Sequence, residues 1–255
     1  MIEKTIIFDS HIPYYHQLLE IIKHNIEEGV WLPGDQIPSE MELCDTFGVS
    51  RTVVRQALRE LESENLIIKR KGKGTFVAKP KISEGLVQKL TGFYHDMLER
   101  GLVPKTKVLY QEIVPANKKI AEYLNVSEGT EVVEIERLRY IHDEPIQLVT
   151  TFIPLNMAPK LANTELSNRS LYEYLKTEYD VMIYRGKRYI EAVLANQQEA
   201  DLLEIKKDDP LIMLDSISYS KTGQVIEYYH ALHRGDRSRF EVELIHFDSE
   251  DTLKI

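Results

Sequence analysis

Residues 36–77, QIPSEMELCDTFGVSRTVVRQALRELESENLIIKRKGKGTFV, leave few folds open. Ser39-Glu40-Met41-Glu42 is a capping box, in which Ser39 takes the N3 amide proton and Glu42 reaches back. It opens a helix ending near Phe47-Gly48, and Ser50 then caps a second helix to about Ser63. Leu66-Ile67-Ile68 and Thr75-Phe76-Val77 are short β-prone runs joined by Lys71-Gly72-Lys73-Gly74. Two short helices followed by a basic glycine hairpin outline a winged helix-turn-helix.

The helix after Ser50 has two faces. Val54, Ala57, Leu58 and Leu61 repeat at core spacing, while Thr52, Arg55, Gln56 and Arg59 fall opposite and Arg51 sits between. An arginine can bond guanine O6 and N7 together, and a recognition helix presents its N-terminal residues to base edges. Gly72 and Gly74 let backbone approach a phosphate, and Lys69, Arg70, Lys71 and Lys73 supply charge. A basic helix face is usually solvated surface; the spacing together with the hairpin favours DNA. An earlier helix should run from Pro13 to about Glu28, with Tyr15, Leu18, Leu19, Ile22 and Ile26 as its apolar stripe, before a turn at Trp31-Leu32-Pro33-Gly34.

The chain's net charge of −9 argues at first against a nucleic-acid partner. The distribution reverses that argument. Residues 48–80 carry eight Lys/Arg against three Glu, a net of +5, so the remaining 222 residues carry −14. A basic patch in an acidic chain is a local footprint that discourages indiscriminate binding. The single cysteine, Cys44, excludes an intrachain disulfide and argues against a thiolate metal cluster. No apolar run approaches the roughly 18 residues of a membrane span, and MIEKTIIFDS lacks a signal-peptide core, so a cytoplasmic protein is expected.

The 255 residues suffice for two domains: 1–78, a linker at 79–85 rich in Pro, Gly and charge, and 86–255. In the second, helices are expected near 86–100, 117–124 and 169–179, with another capped by Asn196-Gln197-Gln198-Glu199. Strands are expected at 106–114, 131–141, 146–153, 182–194, 211–219, 225–233 and 239–247, with turns at His142-Asp143-Glu144-Pro145 and Thr222-Gly223. Hairpins with helices between them imply an α+β antiparallel sheet. No phosphate-binding glycine loop or nucleophile elbow is present, and the eight histidines are scattered; no metal or cofactor is expected. Glu134 and Glu136 share a strand face, as surface carboxylates commonly do. Arg137 and Arg139 also share a strand face, so both guanidiniums suit one phosphate or carboxylate, or else surface ion pairs.

The stretch IPSEMELCDTFGVSRTVVRQALRELESENLI…KGKGTFV resembles the signature of the GntR family of bacterial transcription regulators. The resemblance implies that Arg51 and Arg55 touch DNA, Thr52 a phosphate, and Gly72, Lys73 and Gly74 form the wing tip. Met41 and Val53 depart from the family's usual arginine and threonine, which implies an altered set of contacts. Residues 86–247 resemble the UTRA effector-binding domain of the HutC subfamily, which is similar to the chorismate lyase fold, through TGFYHDMLERG, EIERLRYIHDEPI, SLYEYL, the 209–219 strand and VIEYYHALHRGDRSRFEVEL.

From that resemblance, Arg137, Arg139, Ser170 and Tyr172 are expected on a ligand phosphate and Glu227 on a sugar hydroxyl. Gly92, Phe93, Tyr94, Val149 and His233 complete the implied lining. At Gly92, Tyr94, Val149 and His233 the usual polar residues are replaced, which points away from the family's commonest amino sugar.

Together these features imply a repressor that binds a pseudo-palindromic double-stranded operator as a homodimer and answers to a small anionic effector, a sugar phosphate being one candidate. A chorismate lyase-like enzyme fused to a DNA-binding head is the alternative, though no acid–base pair or nucleophile supports it. A constitutive architectural DNA binder would not need so large a second domain.

Overall fold

A computed structural model describes residues 5–70, 72–85 and 90–244. The chain divides into two compact units, Met1–Pro80 and Lys81–Ile255. No helix among the described residues is long and apolar enough to cross a membrane.

The first unit runs α1 (Tyr14–Glu27), β1 (Gln36–Ile37), α2 (Glu40–Phe47), α3 (Arg51–Ser63), β2 (Ile67–Arg70) and β3 (Gly74–Val77). The capping box at α2 forms in both directions, with Ser39 N donating to Glu42 Oε2 at 2.7 Å and Glu42 N donating to Ser39 Oγ at 3.3 Å. Ser50 Oγ accepts from Val53 N and starts α3. Leu18, Leu19 and Ile22 from α1 close on Leu43 of α2, on Val54, Ala57, Leu58 and Leu61 of α3, and on Ile67 and Val77 of the hairpin. The β-prone runs pair as expected, but β1 adds a third strand against β3 in a segment to which the sequence reading assigns no element. Lys71 of the expected wing turn lies outside the described residues.

The second unit runs β4 (Ile82–Glu84), α4 (Gly92–Glu99), β5 (Pro104–Pro115), α5 (Lys118–Leu124), β6 (Glu131–Ile141), β7 (Glu144–Pro154), α6 (Leu171–Tyr179), β8 (Arg185–Leu194), α7 (Gln197–Leu203), β9 (Pro210–Tyr219), β10 (Val225–Arg234) and β11 (Ser238–Phe240). Six strands form one antiparallel sheet in the order β5-β6-β7-β10-β9-β8. Helices cover both faces. On one, Leu171, Tyr174 and Leu175 of α6 pack on Val133, Ile135 and Ile153, while Phe93 and Met97 of α4 pack on Ile141 and Ile146. On the other, α5 packs on Val132, Ile217 and Tyr228, and α7 on Leu138, Leu148, Leu211 and Leu232.

Four expectations change. The segment read as linker holds β4, which pairs in parallel with β11, so Ile82–Glu84 is part of the second unit. The last strand is short and stands outside the main sheet; residues 245–247 of the expected strand lie outside the described residues. The helix expected at 86–100 is described from Gly92, and residues 86–89 lie outside the description. The turn after β6 uses only His142 and Asp143, both at positive φ, so Glu144 and Pro145 already belong to β7. That is a two-residue hairpin built without glycine.

Candidate functional site

On the first unit, α3 carries Arg51, Thr52, Arg55 and Arg59 exposed and Gln56 half-buried, along the flank opposite Val54, Ala57, Leu58 and Leu61. Arg55 Nε is held by Glu40 Oε2 at 2.8 Å, and this partner raises the guanidinium pKa further. Arg51 Nη2 lies 3.7 Å from the sulfur of Met41, so the unusual methionine touches an arginine expected on DNA. Gly72 sits at φ +74 with open space around its Cα, a conformation and clearance that suit close backbone approach. Lys73 is exposed beside it. Replacing Lys73 with alanine is expected to weaken binding to all DNA sequences almost equally and to lower the slope of log affinity against log salt by about one. Titrations at several salt concentrations check this.

In the second unit a narrow, partly open cavity lies on the α4–α6 face of the sheet. Gly92, Phe93, Tyr94, Arg137, Arg139, Val149, Ser170, Tyr172 and Glu227 all line it. The strand pleat explains the arginines: 133, 135, 137 and 139 share one face of β6, and the last two reach the cavity. Glu134 and Glu136 point to the other face.

Arg137 is buried; its Nη2 donates to Thr151 Oγ1 at 3.1 Å, and its Nε has no hydrogen-bond partner among the described residues. Arg139 Nη1 donates to Gln147 Oε1 at 2.9 Å, and its guanidinium lies over the Phe93 ring, 4.7 Å from the centroid. Burial and then the charge of Arg137 press the Arg139 pKa down to about 9. Burial likewise lowers Arg137. Both remain charged at neutral pH. A buried cation with a second, half-buried one beside it is costly without an anion.

Ser170 is the N-cap of α6, its Oγ accepting from Glu173 N at 3.2 Å, so the first turn of this helix opens at the cavity. Helix N-termini favour anions. Tyr172, in the first turn of α6, donates its hydroxyl to Glu227 Oε1, which also accepts from Ser218 Oγ at 2.9 Å. Burial raises the Glu227 pKa, while the Tyr172 and Ser218 hydroxyls pull it down. Gly92, at φ +75, is what lets Tyr172 lie where it does: a Cβ there would meet the tyrosine ring at 2.9 Å.

His233, implied by resemblance as lining, does not border the cavity. It is fully buried one strand further on, touching Gln147 and Glu84. Thr106, Gln147, Thr151, Arg169, Leu171, Arg188 and Tyr229 line the cavity without having been singled out from sequence. Among the described residues four arginines therefore border it against one carboxylate. Among the described residues no group of three His, Cys, Asp or Glu could hold a metal ion.

Comparison with known proteins agrees with both units. Residues 14–77 match the family described as bacterial regulatory proteins, gntR family, and residues 99–239 match the UTRA domain. The chain is 33% identical over 231 residues to the HTH-type transcriptional repressor NagR of Bacillus subtilis, covering 91% of this chain and 94% of that one. It is 30% identical over 231 residues to the mannosyl-D-glycerate transport/metabolism system repressor MngR of Escherichia coli, covering 91% and 95%. Its fold aligns with the crystal structure of PhnF from Mycobacterium smegmatis with a TM-score of 0.64 at 28% identity, covering 91% and 99%. A basic winged helix-turn-helix joined to an arginine-lined sheet domain, with these relatives, places the chain in the GntR family, as a transcriptional repressor of the HutC type with a UTRA domain.

Proposed function

We propose that this repressor works in the cytoplasm as a homodimer whose affinity for a pseudo-palindromic operator is set by a small anion bound between Arg137, Arg139 and the N-terminus of α6. The carrying observation is the charge of the cavity, which among the described residues has four arginines bordering it and one carboxylate. An anion would meet both arginines from one strand face and the free amides of a helix start. The hydrogen-bonded Tyr172 and Glu227 in the same lining suit a hydroxyl-bearing body, so a sugar phosphate or sugar acid fits the cavity as a class. A relative named for the mannosyl-D-glycerate system supports a sugar-derived ligand.

Dimerisation is supported by β8, an edge strand ten residues long with Tyr189, Ile190 and Leu194 exposed. Long apolar edges invite partners. Two α3 helices in a symmetric dimer would read half-sites roughly one helical turn, about 34–36 Å, apart. The ligand acts only through unequal affinity for the operator-competent and incompetent arrangements. Light scattering on the full chain should give a dimer, and titrating small anions into the operator complex should change its affinity. A monomer, or an operator affinity indifferent to every anion tried, would overturn the reading.

A further inference from the structure

Arg139, Gln147 and His233 stand in one cross-strand row: Arg139 faces Gln147 between β6 and β7, and Gln147 faces His233 between β7 and β10. Their side chains are joined in series. Arg139 Nη1 lies 2.9 Å from Gln147 Oε1, Gln147 Nε2 lies 2.9 Å from His233 Nε2, and His233 Nδ1 lies 3.1 Å from Glu84 Oε1. Gln147, His233 and Glu84 are all buried, the last two wholly, and the second oxygen of Glu84 has no partner among the described residues.

The donor directions in this row are fixed by its first member. A guanidinium only donates, so the Gln147 oxygen must accept. The Gln147 amide then presents its NH2 to the imidazole, so His233 Nε2 accepts and the ring proton sits on Nδ1, aimed at Glu84. Turning the Gln147 amide over would set its NH2 against Arg139, donor against donor.

The far end of the row matters because Glu84 lies on β4, the first strand after the boundary at Pro80. This strand is held at both ends. Ile82 N donates to Arg237 O at 2.7 Å, and Gly85 N donates to Asp96 Oδ2 of α4 at 3.0 Å. Phe93, beneath the Arg139 guanidinium, shares a hydrophobic cluster with Ile82. Arg139 thus bears on β4 through the polar row and through α4.

We propose that Gln147 and His233 are positioning residues that couple the anion site to β4, through competition between the anion and Gln147 for Arg139; this rests on the anion-binding reading above. When the guanidinium turns to an anion, the Gln147 amide is free to rotate. With its oxygen toward the imidazole it no longer fixes the ring proton on Nδ1, the proton that holds Glu84. The hold on β4 loosens, and with it the start of the segment that leads back to the DNA-binding unit. A row that only stiffened the sheet would not respond to ligand.

The test is hydrogen–deuterium exchange of the full chain with and without millimolar inorganic phosphate, at ionic strength balanced with chloride, with thermal denaturation alongside. Phosphate should raise the melting temperature of the parent and speed exchange over residues 81–85 several-fold. Glu84→Gln keeps an acceptor for His233 Nδ1 and should preserve that response. Glu84→Leu and His233→Phe cut the row at two points; phosphate should still stabilise each, while exchange over 81–85 no longer responds. A full response in both cut variants would overturn the coupling. So would a parent that phosphate stabilises without any change over 81–85. If phosphate leaves both the stability and the exchange of the parent untouched, the anion reading itself fails and takes the coupling with it.

Discussion

Replacing Arg139 with alanine is expected to abolish the response to effector. Arg139 is half-buried beside the buried Arg137 on one strand face, and the anion would replace water that both have lost. Truncating one partner of a buried, hydrogen-bonded charge pair costs roughly 2–5 kcal/mol of affinity. At roughly 1.4 kcal/mol per tenfold, that weakens ligand binding about 30- to 4,000-fold. The free protein should not suffer in the same way. The substitution takes away an uncompensated charge that repels Arg137, so its melting temperature should match or exceed that of the parent. Operator titrations with and without ligand, alongside thermal denaturation, separate the two effects. An Arg139 variant that responds fully would place the anion elsewhere.

The second large effect belongs to Arg55. It stands exposed on α3, its guanidinium steadied by Glu40 across the helix-turn-helix. Loss of a bidentate guanine contact costs roughly 1–3 kcal/mol per half-site, and a dimer loses it twice. Arg55→Ala should therefore weaken operator binding steeply while barely affecting non-specific DNA. Folding should be nearly unchanged, since an exposed ion pair contributes little. Gel-shift titrations on operator and on unrelated DNA check the difference. Equal loss on both would mean that Arg55 contacts only the backbone.

How far the sequence could be read depended on the range of the interaction involved. The capping boxes at Ser39–Glu42 and Asn196–Glu199 are four-residue devices, and both form. The strand β1 escaped notice because Gln36 and Ile37 have no pattern of their own; they become a strand only by meeting Phe76 and Thr75 some forty residues on. β4 is the same case, since Ile82–Glu84 is ordered by β11, more than 150 residues later in the chain.

The cavity wall shows a subtler limit. The turn at His142–Asp143 sets Ile141 against Glu144 and Tyr140 against Pro145. Continued without a break, that register would oppose Arg139 to Ile146 and Arg137 to Leu148. An irregularity between Arg139 and Tyr140 shifts the pairing by one, so Arg139 meets Gln147 and Arg137 meets Val149. A one-residue slip exchanges the faces of a strand. Gln147 and Thr151 therefore reach the arginines, and nothing in the local sequence marks the bulge. Arg188 enters through the order of the sheet, four strands away from β6, which hairpin reading alone does not supply.

The most direct test of the account is a thermal-shift screen of small anions, sugar phosphates and sugar acids foremost, against the parent chain and Arg139→Ala. A ligand at about 100 times its dissociation constant adds roughly 2.7 kcal/mol to the stability of the state that binds it. The account predicts that at least one sugar-derived anion raises the melting temperature of the parent, that its uncharged analogue does not, and that the shift vanishes in Arg139→Ala. A ligand that stabilises both proteins equally, or neutral analogues that work as well as the anions, would contradict it.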